Sequence, residues 1–401
     1  MINIIKTIYA DKKVRLNPSC YIYDMDIIKK NIAQIQKYAS PNISLYYAMK
    51  ANPNATILNL MKKTPFIKGV EIASGGELKK AKRYFKSKNI LFTGPGKTPE
   101  ELRLSIKNKI RFINVESIIE AIRIEQITCE MNVPKVPCLL RINIDYAIEG
   151  AQEYMAGYST KMGIDQQRFE ETFNFIKRLE HLDIQGIHIF SASGILDYKS
   201  LIKYAKHIFS YVQDLEKRLD FKVNVIDFGG GIGIDYTNKN KTFDIKSYFS
   251  ALKKLIYLYH FDDKEIIMEL GKYLVGNAGF YTSKIIDIKD IKNYKHIVVA
   301  GGVNHFRLPI ATDRKHPVFI VPMHEKPLYQ NQPFVRNEKV DIEGPLCMNE
   351  DKLSWQEYIN EAHIGDIVVF RQSGAYCYTA STLEFLGHDY PFEICIKGGH
   401  R

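Results

Sequence analysis

Three short stretches of this 401-residue chain carry side chains suited to covalent and acid–base chemistry. Ala48-Met49-Lys50-Ala51-Asn52 sets a lysine among small and apolar neighbours, without the helical salt-bridge partner of a solvated charge. Asp227-Phe228-Gly229-Gly230-Gly231-Ile232-Gly233 offers backbone N–H groups that can cradle an anion such as phosphate. Glu269-Leu270-Gly271-Lys272 places a carboxylate at the end of an apolar run. An amine that adds to a carbonyl, a phosphate cradle and a carboxylate against a ring nitrogen together suit pyridoxal phosphate, provided one fold gathers them. Singly, each has a plainer reading: surface charge for the lysine, a tight turn under a packed helix for the glycines. Competing glycine motifs fail, because position 234 is Ile where a dinucleotide fingerprint needs glycine and position 91 is Leu where a P-loop before Gly96-Lys97-Thr98 needs one.

The elements that must position these residues follow from hydrophobic periodicity. Strand-like runs at 43–49, 70–73, 90–93, 112–115, 136–142, 184–190, 223–228 and 266–269 alternate with segments of helical period, such as Leu102, Ile106 and Ile110. Eight β/α units predict a closed (β/α)8 TIM barrel, with an open doubly wound sheet as the alternative. Working residues of a barrel stand at the C-terminal ends of its strands, and closure brings strand eight beside strand one, so Lys50 and Glu269 would share one mouth. After about residue 275 strand-like runs continue without long helices, at 280–288, 296–299, 318–321, 334–342, 366–370 and 392–396. These predict an antiparallel, β-barrel-like domain, which Cys20–Tyr23 could join. The expected division is 25–275 for a cofactor-binding barrel and 276–401 plus 1–24 for the β-domain.

Composition excludes several function classes. With 45% hydrophobic and 25% charged residues, the chain is neither a disordered polypeptide nor a disulfide scaffold. The 56 basic against 45 acidic residues give +11, but the charge is scattered. Runs such as Lys79–Arg83 and Asn238–Lys241 lack the interleaved aromatics of a nucleic-acid surface. No apolar run approaches the ~20 residues of a membrane span, and the N-terminus has no secretory pattern. The six cysteines show no metal-like spacing with each other or with histidine and read as reduced cytosolic thiols. Neither nucleic acid, membrane nor metal is therefore expected as a partner, and a cytoplasmic location is.

Taken in order, YYAMKAN at 46–52, VEIASGGEL at 70–78, FTGPGKT at 92–98, GIHIFSAS at 186–193, DFGGGIG at 227–233, ELGKYLVG at 269–276, EGPLC at 343–347 and SGAY at 373–376 resemble the fold-type III pyridoxal-phosphate decarboxylases. This alanine racemase-like group contains the diaminopimelate, ornithine and arginine decarboxylases. The resemblance implies that Lys50 is the Schiff-base lysine and that Glu269 pairs with the pyridine nitrogen. It implies that Ser193, Gly230, Gly231, Gly233, Lys272 and Tyr376 surround the phosphate, and that Cys347 reaches across a homodimer interface to protonate or position the substrate carbanion, so that active sites are shared.

Two departures bear on chemistry and substrate. Phe190 stands where the family keeps a histidine stacked on the cofactor ring; His188, two residues earlier, reads as a core histidine. Met348 follows Cys347 where diamine-specific relatives keep an acid for a distal ammonium, although Glu350 or Asp351 stands close enough to compensate. Arg307, in GGVNHFRLPI with His305 nearby, matches an arginine that relatives use for a substrate carboxylate; its plainer reading is an ion pair. YIYD, GPGKT with EELR, GGGIG and FRLP resemble the decarboxylases of carboxylate-siderophore assembly, and ELGKYLVG and HIF those acting on carrier-tethered glutamyl groups. The expected activity is decarboxylation of an amino-acid moiety within a carboxylate-bearing conjugate resembling citryl-diaminopropionate. The alternatives are a free diamino-acid decarboxylase, a carrier-tethered glutamyl decarboxylase, an amino-acid racemase, and a silent homologue that binds a partner or stores the cofactor. A racemase of this fold pairs the pyridine nitrogen with arginine, which Glu269 argues against.

Overall fold

A computed structural model describes residues 1–157, 159–237 and 241–398; residues 238–240 of the basic run lie outside the described residues. The chain forms two compact units, one of residues 32–234 and 242–273, the other of residues 1–31, 235–241 and 274–401.

The first unit is built on eight parallel strands: β1 Ile43–Ala48, β2 Ile67–Ile72, β3 Ile90–Phe92, β4 Phe112–Val115, β5 Val136–Asn143, β6 Leu182–His188, β7 Val225–Asp227 and β8 Glu265–Leu270. Each pairs in parallel with the next, and β8 returns to β1 with Glu269 opposite Tyr46, so the sheet closes into a barrel. The open-sheet alternative is excluded by that last pairing. Tyr46, Leu91, Phe112, Leu139, Val225 and Ile267, drawn from six different strands, pack together in a buried cluster. Burying a large apolar side chain contributes about 1.5–3 kcal/mol, so this cluster fixes the strand ends that carry the chemistry.

Caps start the crossover helices where the sequence places them. Thr98 and Glu101 form a reciprocal capping box before Pro99–Lys107, with Pro99 in the first turn. Ser74, Ser117 and Asp197 cap the helices Gly75–Ala81, Ile118–Glu130 and Tyr198–Leu219. The last buries Tyr204, Ile208 and Leu215 at helical spacing and ends at Asp220 in the left-handed region (φ 44°).

The second unit contains a mixed sheet of strands Ser19–Asp24, Gly279–Ile291, Tyr294–Val299, Val318–Val321, Phe334–Glu343, Lys352–His363, Ile367–Phe370 and Phe392–Ile396. Most neighbours are antiparallel, as expected. Two pairs are parallel: Ser19–Asp24 with Phe392–Ile396, and Tyr294–Val299 with Phe334–Glu343. The 12-residue strand Lys352–His363 was not expected, because its charged residues alternate with few strong apolar ones. It buries Leu353, Ile359 and Ala362 and leaves Tyr358 and Glu361 outward. The N-terminal helix Ile2–Ala10 buries Ile5 and Tyr9 in the cluster formed by Cys20, Ile22, Val321, Ile367 and Val369. Among the described residues, no helix is long and apolar enough to cross a membrane.

Candidate active site

All eight barrel strands deliver a polar side chain at or just beyond their C-terminal ends. These are Lys50, Glu71, Thr93, Asn114, Arg141, His188, Asp227 and Glu269 in strand order. Glu71 in β2 stands opposite Ala48 in β1, two residues before Lys50. The Lys50 ammonium reaches both its oxygens, Nζ lying 2.7 Å from Oε1 and 2.8 Å from Oε2. Glu71 is fully buried, whereas the Lys50 side chain is 38% exposed. A buried carboxylate thus holds the amine of a part-exposed side chain, which keeps Lys50 in place.

Glu269, Asp227 and His188 form the other half of the mouth, with ligand-type atoms within 4.8 Å of one another and all three buried. Burial pushes the Glu269 carboxyl well above its usual range, and the neighbouring Asp227 and Glu71 charges push it further. Burial also raises Asp227, to about 7, but the Gly229 N–H donating to its Oδ1 at 2.8 Å moderates the rise. Burial and mutual repulsion thus favour one proton shared by the pair over two full charges. Burial, reinforced by the cations Arg141, Lys50 and Lys97, drives the His188 pKa well down. Its 3.9 Å approach to Glu269 is therefore a contact of a neutral ring, not an ion pair. Among the described residues, neither His188 ring nitrogen has a hydrogen-bond partner.

The glycine run makes the third side. Gly229 has φ +61°, and a Cβ there would lie 2.8 Å from the Phe190 side chain. A Cβ on Gly230 would lie 2.6 Å from the Glu269 carbonyl, so the loop passes directly over the end of β8. Ile195 N–H donates to the Gly231 carbonyl and Gly233 N–H to the Ile195 carbonyl, which stitches the run to the segment after Ser193. Ser193 pairs with Glu153, and the buried Lys272 ammonium lies 3.1 Å from Glu153 Oε1. The structure thus brings Lys50, Glu269, Phe190, Gly230, Gly231, Gly233, Ser193 and Lys272 into one unit, with a carboxylate already on Lys272.

The remaining expected residues belong to the second unit. Cys347, Met348, Glu350 and Arg307 are exposed, and Tyr376 is half-buried with φ +65°. Asp351 is buried, and its carboxylate accepts from the N–H groups of Val303 at 2.6 Å and Leu346 at 2.7 Å. It braces the segments that carry Arg307 and Cys347. His305 is engaged likewise. It is 2% exposed, with Nε2 2.8 Å from the Asp389 carbonyl and Nδ1 3.4 Å from the Tyr281 hydroxyl. Burial lowers its pKa to about 4. The neutral ring braces this turn.

The comparisons with known proteins agree with this geometry. The pyridoxal-binding domain of the pyridoxal-dependent decarboxylases matches residues 25–276. The chain belongs to that family. It is 28% identical to the 2-[(L-alanin-3-ylcarbamoyl)methyl]-2-hydroxybutanedioate decarboxylase of Staphylococcus aureus, over 97% of this chain and 96% of the relative. It is 29% identical to the L-glutamyl-[BtrI acyl-carrier protein] decarboxylase of Niallia circulans, over 96% and 90%. The Helicobacter pylori diaminopimelate decarboxylase structure with L-lysine superposes with a TM-score of 0.83 at 25% identity, over 94% of this chain and 91% of the other. The protein is accordingly a pyridoxal-phosphate-dependent decarboxylase, a lyase on the barrel-plus-β-domain fold.

The residues fit the cofactor on the structure's own terms. A buried carboxyl pair beside a neutral histidine suits a protonated ring nitrogen, the glycine loop leaves no room for side chains, and Lys50 presents its amine on a part-exposed side chain held by Glu71. Glu71, Asp227, Thr93 and Asn114 were not singled out from the sequence. Glu71 had one signal: a lone acid in an apolar strand run whose barrel neighbour carries the lysine.

Proposed function

We propose that this enzyme removes the α-carboxylate from an amino-acid unit inside a larger, carboxylate-bearing conjugate, of the kind made in siderophore assembly and resembling citryl-diaminopropionate. Asp351 carries the proposal: the buried acid nearest the cysteine is committed to two backbone amides, while Met348 and Arg307 are exposed. A thioether cannot pair a distal ammonium, whereas a guanidinium fork suits a carboxylate. The names of the Staphylococcus aureus and Niallia circulans relatives, one acting on a hydroxybutanedioate conjugate and one on a carrier-bound glutamyl group, support a conjugate over a free diamino acid.

In this reading residues 25–275 are the cofactor-binding domain. Lys50 is the attachment residue, Glu269 faces the pyridine nitrogen and Phe190 lies on the ring. Gly230, Gly231, Gly233, Ser193, Lys272 and Tyr376 take the phosphate. Bound pyridoxal phosphate supplies the electron sink that makes loss of carbon dioxide accessible. Glu71 receives the Lys50 amine whenever it is free, holding it as a proton donor near the reacting carbon. Arg307 orients the conjugate by a remote carboxylate, and Cys347 or Lys50 delivers the proton that replaces the departed group. A homodimer with shared sites and a cytoplasmic location complete the proposal. Six cysteines with no metal-like spacing, read as reduced thiols, support the latter.

The test is mass-spectrometric detection of decarboxylated product from cofactor-loaded enzyme offered lysine, ornithine, diaminopimelate, arginine, citryl-diaminopropionate and carrier-tethered glutamate. Turnover of a conjugate alone is expected. Efficient turnover of a free diamino acid would overturn the substrate assignment and leave the decarboxylase standing.

A further inference from the structure

A hydrogen-bond path reaches Glu269 from the opposite side of the barrel. Lys97, with its side chain 1% exposed, donates to the Gly94 and Asn114 carbonyls at 2.8 and 2.7 Å and pairs with Glu120 at 2.7 Å. That fixes the Asn114 backbone in β4. The Asn114 side chain, fully buried, then donates from Nδ2 to the Thr93 hydroxyl at 2.8 Å, and Thr93 Oγ1 lies 3.4 Å from Glu269 Oε1.

The order of donors decides what Thr93 does. An amide N–H only donates, so the hydroxyl oxygen is the acceptor toward Asn114 and its own proton is left to point at Glu269. A hydroxyl that donates to a carboxylate favours the ionised form, and the contact shortens as charge builds on the acceptor. Asp227 acts in the opposite sense, since its charge favours a protonated Glu269. Two neighbours thus bias one carboxyl in opposite directions, and a positive ring nitrogen tips the balance toward Thr93.

We infer that Thr93, aimed by Asn114, is a positioning residue that holds the Glu269 carboxylate as an acceptor toward the cofactor's ring nitrogen; the inference rests on the reading of Glu269 given above. The Thr93 hydroxyl meets Asn114 and Glu269. It acts through Glu269.

The test uses the holoenzyme loaded with pyridoxal phosphate carrying ¹⁵N at the ring nitrogen, whose NMR shift reports protonation of that atom. In Thr93→Val the signal moves toward the neutral position. kcat falls about ten-fold, the worth of a hydrogen bond to a charged group, while KM stays within about two-fold because the contact strengthens with charge on Glu269 rather than with substrate binding. Thr93→Ser, which keeps the hydroxyl, restores both. Asn114→Asp keeps the Thr93 hydroxyl but offers it an acceptor, turning its proton away, and reproduces the valine phenotype. Glu269→Gln serves as the reference. If it moves the ¹⁵N signal while Thr93→Val and Asn114→Asp leave it at the wild-type position, this inference is overturned and the role of Glu269 stands. If Glu269→Gln leaves the signal unmoved as well, Glu269 is not the ring's partner and both readings fall.

Discussion

At the barrel mouth Glu71, Glu269, Asp227 and His188 are buried and the lysine is held by two oxygens at once, whereas in the second unit Cys347, Met348 and Arg307 face solvent. Buried groups exist there too, but Asp351 and His305 are bonded to backbone. The contrast separates two demands on one enzyme. Bond cleavage needs charges whose ionisation is set in advance by burial and neighbours. Substrate selection needs exposed side chains on segments supported from behind, which can be exchanged without disturbing the chemistry.

The sharpest way to break this division is Lys50→Ala. All measurable turnover should vanish, and borohydride reduction should no longer fix the cofactor to the peptide containing residue 50. A variant that keeps both would remove Lys50, and the whole barrel-mouth assignment with it. Next in size is pH. Asp227 and Glu269 have folded pKa values above the unfolded ones, so the native barrel holds more protons than the unfolded chain. Its stability falls as pH rises from the ordinary carboxylate range, about 4, toward about 7, an effect of two carboxyls that the single depressed His188 of the barrel mouth offsets only in part. His305 and His316, both pushed down to about 4 by burial, do the reverse. The unfolded chain holds more protons between that value and about 6.5, so the second unit gains stability as pH rises through this window. The full effect is about 3 kcal/mol per histidine. Hydrogen exchange of the cofactor-free protein, corrected for intrinsic rates and read peptide by peptide, should show slopes of opposite sign in the two units. Asp227→Asn should flatten the barrel's slope alone; slopes of one sign in both units would refute the contrast.

The barrel was legible because its eight strands are short apolar runs separated by capped amphipathic helices, and both signals are local. Lys50, Glu269 and the glycine run were legible because they stand at strand ends. Glu71 was not, since its importance depends on the register Ala48–Glu71, and pairing register between parallel strands leaves no trace in either strand alone. Asn114 and Thr93 were hidden for the same reason, since they meet across two strands. In the second unit, the parallel pairing of Ser19–Asp24 with Phe392–Ile396 joins the two ends of the described chain, a partnership that no window of sequence contains. Asp351 read as a loop acid free to meet a substrate, because its two amide partners lie 48 and 5 residues away.

The smallest expected effect concerns Phe190, where a side chain that cannot titrate replaces one that can. Its ring lies against Gly229, whose φ of +61° brings the backbone so close that any Cβ would sit 2.8 Å from the phenyl group. In the proposed reading position 190 supplies a flat face held from behind, and histidine would supply one too. Phe190→His should change cofactor affinity by less than about five-fold, within the 0.5–1.5 kcal/mol of an aromatic pair. It should add to the pH–rate profile a limb near about 6.5, where an imidazole titrates. Phe190→Ala, which removes the face, should weaken cofactor binding by about two- to ten-fold. Fluorescence titration of cofactor-free protein measures both, and an alanine variant that binds as tightly as the wild type would place the ring elsewhere. A barrel mouth that tolerates exchange of a face but not of Lys50 or Glu269 is one in which position 190 packs the cofactor while the proton chemistry stays with the charged groups.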